Sequence, residues 1–115
     1  MLLALAAAVS PSAASGEKAF QRCYSCHSVD PKEQDLEGPN LAGVVGRPAA
    51  TLRGFRFSPA MRAAGARGLV WTEAALDRYL RDPEAMAPKT SMNMPPLRNP
   101  RERAAIIAYL KANSR

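Results

Sequence analysis

Leu76, Tyr79 and Leu80 fall on one face of a helix predicted over Glu73 to Arg81, while Glu73, Asp77 and Arg78 take the water-facing side. Thr72 stands before it as an N-cap, and Asp82-Pro83 stops it and opens a single further turn through Met86. A second apolar stripe, Ala104, Ile107 and Ala108 running on to Lys111 with Ile106 and Leu110 alongside, predicts a last helix to about Ala112. Its small residues permit close helix crossing. Asn99-Pro100-Arg101-Glu102 begins it with a cap, a proline at the first helical position and a glutamate at the third. Ser58-Pro59 repeats the cap-and-proline start for a short middle helix, ended by Gly65, with Ala63 to Gly68 as a flexible turn. Gly16 to Phe20 forms a short first helix with Ser15 as N-cap and Glu17 in the first turn. Between Ser28 and Leu52 the spacing of Pro31, Gly38, Pro39, Gly43, Gly46 and Pro48 predicts loop. The pattern gives an all-α domain of four to five short helices and long loops, without internal repeats.

At 115 residues the chain is one domain with a modest core, which benefits from a bound group at its centre. The formal charge of +6 comes from 16 Lys and Arg against 10 Asp and Glu, and residues 1–15 contribute none of it. Basic residues scattered singly, with three Phe, three Tyr and one Trp, do not make a nucleic-acid surface. An acidic protein, or transient contact with an anionic membrane surface, fits better. The apolar run Leu2 to Val9 followed by Pro11 and small residues predicts a secretory signal over 1–15, cleaved before Ser15 or Gly16, leaving 16–115 as the mature domain. No Lys or Arg precedes the run, which fits a shortened start; the alternative is a retained apolar tail. The run is too short to span a bilayer, which takes roughly 20 residues. Export to the periplasm follows from this leader.

The chemistry lies in Cys23-Tyr24-Ser25-Cys26-His27. Two thiols three residues apart and an imidazole directly after them form the attachment signature of a c-type haem, with thioethers to Cys23 and Cys26 and His27 as proximal iron ligand. A thioredoxin-like dithiol would sit in a strand-rich domain, and no strand pattern surrounds the motif. A zinc site lacks a further Cys or His to close it. A disulfide here would close too small a loop to stabilise much. With one histidine in the chain, methionine is the usual second axial ligand of an electron carrier. Met1 lies in the leader, Met61 on the middle helix and Met86 at a helix end, which leaves Met92 and Met94 in the stiff loop from Pro88 to Leu97.

These residues resemble the class I cytochromes c of mitochondrial and bacterial periplasmic monohaem type, over nearly all of Gly16 to Lys111. Beyond the haem motif, the resemblance is carried by Gly38-Pro39-Asn40-Leu41 with Gly43, Gly46 and Arg47, by Gly54-Phe55, Trp71-Thr72 and Tyr79-Leu80, by Pro88, Thr90 and Met92, and by Ile107 to Lys111. It implies the cytochrome c fold around one covalent haem c. It also implies Met92 as the second axial ligand, with Met94 where a bulky aromatic normally covers the haem. Met94-Pro95 keeps the alternative open, since other class I members place the ligand directly before proline.

Further roles follow from the resemblance alone. Pro39 would accept the proximal imidazole's hydrogen bond, Arg47 and Trp71 would meet the haem propionates, and Tyr79 would lie beside the axial sulfur. Phe57 stands where many relatives have a tyrosine, Met61 near a position often held by asparagine, and the loop before Trp71 is about three residues longer than in mitochondrial relatives. The implied function is a monomeric one-electron carrier, not an enzyme. Its partners would be acidic redox proteins, such as a membrane reductase, a terminal oxidase or a photosynthetic centre, met through Arg22, Arg53, Lys89 or Arg98. The competing expectation is a ligand-binding sensor or peroxidase-like enzyme whose distal methionine is labile.

Overall fold

The computed structural model describes residues 13–34, 36–90, 92 and 94–113. Its helices are α1 (Ala13–Phe20), continued by a 3₁₀ turn (Gln21–Cys23), then α2 (Pro59–Ala66), α3 (Glu73–Arg81), α4 (Pro83–Met86) and α5 (Pro100–Ala112). Among the described residues there is no strand, only an isolated bridge between Pro48 and Val70. None of these helices is long and apolar enough to cross a membrane.

The local start signals operate as read. Ser58 Oγ accepts from the Met61 amide at 3.2 Å, Thr72 Oγ1 from Ala75 at 3.1 Å and Asn99 Oδ1 from Arg101 at 2.9 Å, each satisfying an amide that the first turn leaves unpaired. Pro59, Pro83 and Pro100 occupy first-turn positions where no N–H is needed.

Four details differ. Ser15 lies inside α1 rather than ahead of it as a cap, because the helix already runs from Ala13; of the leader expected over 1–15, residues 1–12 lie outside the described residues. Gly65 does not end α2. The chain turns at Gly68, whose φ of 97° only glycine adopts freely, with Gly68 N–H on Gly65 O and Leu69 N–H on Ala64 O closing the helix end. Glu102 does not reach back to its own cap, since its carboxylate pairs with Arg22 at 2.7 Å. On α5 the buried face is Arg103, Ile106, Ile107 and Leu110 together with Ala105, and Ala104 faces water. A cation joins the apolar stripe because Arg103 Nε donates to Asp77 Oδ1 at 2.7 Å and its other arm to the Leu97 carbonyl at 2.8 Å, tying α5 to α3 and to the loop before α5.

The core is one cluster in which Phe20 from α1, Leu76, Tyr79 and Leu80 from α3, and Ile106, Ile107 and Leu110 from α5 meet Trp71 and Val44 from the loops. α1 crosses α5 closely: a Cβ at Gly16 would lie 2.5 Å from the Ala105 carbonyl oxygen and 2.6 Å from Tyr109 Cβ. Below this crossing the Phe20 ring, fully buried, packs on Tyr109 at 5.2 Å and edge-on to Tyr24 at 5.0 Å. Gly16→Ala therefore gains helix propensity of up to about 1 kcal/mol but overpacks the crossing, at a cost of about 1–3 kcal/mol. We expect a net fall of several degrees in the thermal midpoint, read by far-UV circular dichroism; an unchanged or raised midpoint would show that the helices can separate freely.

Candidate metal centre

The pentapeptide begins where α1 gives way to the 3₁₀ turn. His27 N–H donates to Cys23 O at 2.8 Å and Cys26 N–H to the same oxygen at 3.1 Å, so Cys23, Cys26 and His27 are wound into one tight turn. Both cysteines are free and half-buried. Burial pushes the Cys23 thiol up to about 11, with Arg22 pulling the other way. A nucleophilic thiol needs the opposite shift.

His27 Nδ1–H donates to the Pro39 carbonyl at 2.8 Å, which fixes the ring and its tautomer and leaves Nε2 with a free lone pair. Burial pulls the imidazole below its ordinary value, so it stays neutral, the form that binds metal. Gly38 makes this fit possible. A Cβ there would lie 2.5 Å from His27 Cε1, 2.8 Å from Nδ1 and 2.9 Å from Nε2, so the backbone lies flat against the imidazole. The cradle passes the test for a haem ligand: two thiols and an oriented, neutral imidazole in one turn.

The remaining expected residues form a connected path. Arg47 donates to the carbonyls of Ala42 at 3.1 Å and Asn40 at 3.2 Å, which holds the loop that carries Pro39. Trp71 N–H donates to Arg47 O at 2.9 Å and Trp71 O accepts from Gly46 at 2.7 Å, so Arg47 and Trp71 are backbone neighbours. The Trp71 and Tyr79 rings meet edge to face at 5.2 Å. The Tyr79 hydroxyl, kept protonated by burial, bonds Thr90 Oγ1 at 3.0 Å, and the same oxygen accepts the Met92 amide at 3.2 Å. Met92 and Met94 are both half-buried against the core. Met61 and Phe57 also pack there, Phe57 edge-on to Phe55 at 4.8 Å.

Two residues matter beyond the sequence reading. Gly38 reads in the sequence as a loop glycine of the Gly38-Pro39-Asn40-Leu41 motif, and its contact with the imidazole is what the structure adds. Thr90 is the polar partner that a buried tyrosine hydroxyl at Tyr79 requires. Of the basic residues expected at the docking edge, Arg22 is paired with Glu102, whereas Arg53, Lys89 and Arg98 are exposed.

Residues 13–114 match the family model "Cytochrome c". The chain is 43% identical over 98 residues to cytochrome c2 of Afifella marina, covering 85% of this chain and 79% of that protein. It is 46% identical over 94 residues to cytochrome c2 iso-2 of Magnetospirillum fulvum, covering 82% and 94%. The solved structure of cytochrome c2 from Rhodospirillum centenum superimposes with a TM-score of 0.84 at 37% identity, over 90% of this chain and 99% of that one.

Substituting Gly38→Ala forces the imidazole or the 38–40 backbone to move. We expect the haem-loaded variant to lose about 1–3 kcal/mol of stability, measured by chemical denaturation, with a displaced Soret band. A variant matching the parent in both would refute the cradle.

Proposed function

The chain belongs to the cytochrome c family, and from that premise we propose a one-electron carrier with a His27/Met92-ligated iron, working in the periplasm between membrane redox complexes. A bound c-type haem supplies a reversible Fe(III)/Fe(II) couple, attached here through Cys23 and Cys26. The observation that carries the reading is the His27 cradle of Gly38 and Pro39, which presents one neutral, oriented nitrogen beside both thiols.

We assign Met92 rather than Met94 to the second axial position, and its tether supports the choice. The Met92 amide is held by Thr90, which Tyr79 holds from α3, so a thioether at this position is presented by a helix-anchored loop. Thioether ligation favours the reduced iron and a high potential. Arg47 and Trp71, joined through their backbones, are assigned to the propionates, where guanidinium and indole N–H groups offset carboxylate charge. With both axial positions filled no site remains for a substrate, and we assign no catalytic residue. The proposed mature unit is a monomer of residues 16–115, exported through the leader that Leu2 to Val9 supports. The sensor or peroxidase reading finds no support in the relatives, which are named as cytochromes c2 and c.

Visible spectra of the purified haem protein test the assignment. The parent should resist carbon monoxide at neutral pH in the ferrous state. Met92→Ala should lose the Fe–S charge-transfer band and bind carbon monoxide, while Met94→Ala keeps the band; the reverse pattern would move the ligand to Met94. Thr90→Val, which removes the hydroxyl from the Tyr79–Met92 tether, should keep the band but bind carbon monoxide at least about tenfold faster than the parent, a change that loss of roughly 1.4 kcal/mol in loop stability would produce.

A further inference from the structure

The chain has three tyrosines, and two of them touch. The hydroxyls of Tyr24 and Tyr109 share a hydrogen bond of 2.7 Å, although 85 residues separate them in sequence. The third, Tyr79, is buried with its hydroxyl on Thr90.

The pair is held on several sides. Phe20, fully buried, packs edge-on to Tyr24 with centroids 5.0 Å apart and against Tyr109 at 5.2 Å, so neither ring can turn away without exposing it. Arg22 and Glu102 close an ion pair of 2.7 Å between the same two segments. Behind Tyr109, Gly16 brings α1 against its Cβ. Both phenols are nevertheless open to small solutes: Tyr24 is 41% exposed and Tyr109 is half-buried.

Neither tyrosine has a part in the iron site as assigned above, since Pro39 orients His27 and the tether to Met92 runs through Tyr79. A single hydrogen bond open to water also adds little to stability, so stability alone is a weak account of the pair. The chemistry of two phenols in contact is a stronger one. A phenol that loses one electron and one proton becomes a phenoxyl radical, whose spin is shared with its ortho carbons. When two such radicals meet, a carbon–carbon bond forms between ortho positions, and the ring hydrogens at the joined carbons move to the oxygens and restore both phenols. The oxygens of the product are neighbours, as they already are in the hydrogen-bonded pair. In all, the pair gives up two electrons and two protons, which reduce one hydrogen peroxide to two waters.

We propose that Tyr24 and Tyr109 form an oxidative cross-linking site, in which one-electron oxidants generated from hydrogen peroxide join the two rings and staple the turn of Cys23, Cys26 and His27 to α5. The exposed Tyr24 is oxidised first and Tyr109, held against it, captures the radical once oxidised in turn. Which methionine binds the iron does not enter.

The test exposes the ferric haem-loaded protein to photogenerated tris(bipyridyl)ruthenium(III), with persulfate as electron acceptor, and in a second arm to hydrogen peroxide with a trace of an added peroxidase. In both, the digest of the monomer should contain a peptide pair joined through residues 24 and 109, lighter by two hydrogen atoms than its parts, and acid hydrolysis should release dityrosine. Y24F and Y109F should each lack the joined pair. In denaturant the parent should give at least about tenfold less of it, because contact in the fold replaces chance encounter. The linked protein should melt roughly 10–20 °C higher, since the new bond closes most of the chain into one loop. Dityrosine confined to covalent dimers would overturn the proposal, by showing that Tyr24 reacts with other molecules rather than with Tyr109. So would oxidation limited to Tyr79, Trp71 or methionine in an unlinked monomer, or an equal yield from folded and unfolded chains. A link formed by ruthenium but not by peroxide would remove the proposed oxidant and overturn it as well.

Discussion

The hydrogen bond from His27 Nδ1 to the Pro39 carbonyl, 2.8 Å long, ties the only imidazole of the chain to a loop that has no regular structure of its own. An ordered loop residue costs roughly 1–2 kcal/mol in backbone entropy, so a loop that must orient a ligand has to be fixed by other bonds. The Asn40 side-chain amide donates to the carbonyls of Asp30 and Glu33, at 2.7 and 2.9 Å, and Ser28, buried, binds the Glu33 carboxylate. Arg47 closes the far side on the Asn40 and Ala42 carbonyls. From Arg47 the path continues through Trp71, Tyr79 and Thr90 to Met92. The two ends of the proposed iron axis therefore belong to one connected set of contacts.

Such a set suits electron transfer, where the surroundings must change little between oxidation states. Tyr79 is its hinge point, since it packs on Trp71 with its ring and bonds Thr90 with its hydroxyl. Lys89, just before Thr90, has a left-handed backbone with φ of 58°, unusual for a residue other than glycine. The proposed ligand loop is thus anchored at Thr90 immediately beside a strained peptide, which concentrates any loosening of the loop at that point.

The sequence made plain whatever is decided over a few adjacent residues. Ser58, Thr72 and Asn99 were recognisable caps because capping depends on one side chain and the amides two or three positions on. The haem pentapeptide was legible for the same reason, as its chemistry is contained in a single turn. Features set by distant contacts were not. Arg103 lies on the buried face of α5 because Asp77 and Leu97, 26 and 6 residues away, accept its hydrogen bonds, and no helical pattern reveals this. Gly65 carried a stop signal that Gly68 executes, since the choice depends on which glycine takes the left-handed conformation. The value of Gly38 became evident only with the imidazole lying against it.

The crossing of α1 on α5 at Gly16 joins chain positions separated by nearly the whole domain. Closing a loop of that length costs on the order of 4 kcal/mol in chain entropy, and little is recovered until both helices are in register. Neither end can then be a spare part. Cys23 and His27 follow α1 directly, so fraying of α5 removes the support from the segment proposed to hold the iron, even though the two are far apart in the chain. Damage to α5 would accordingly register first as a disturbance of the protein's colour.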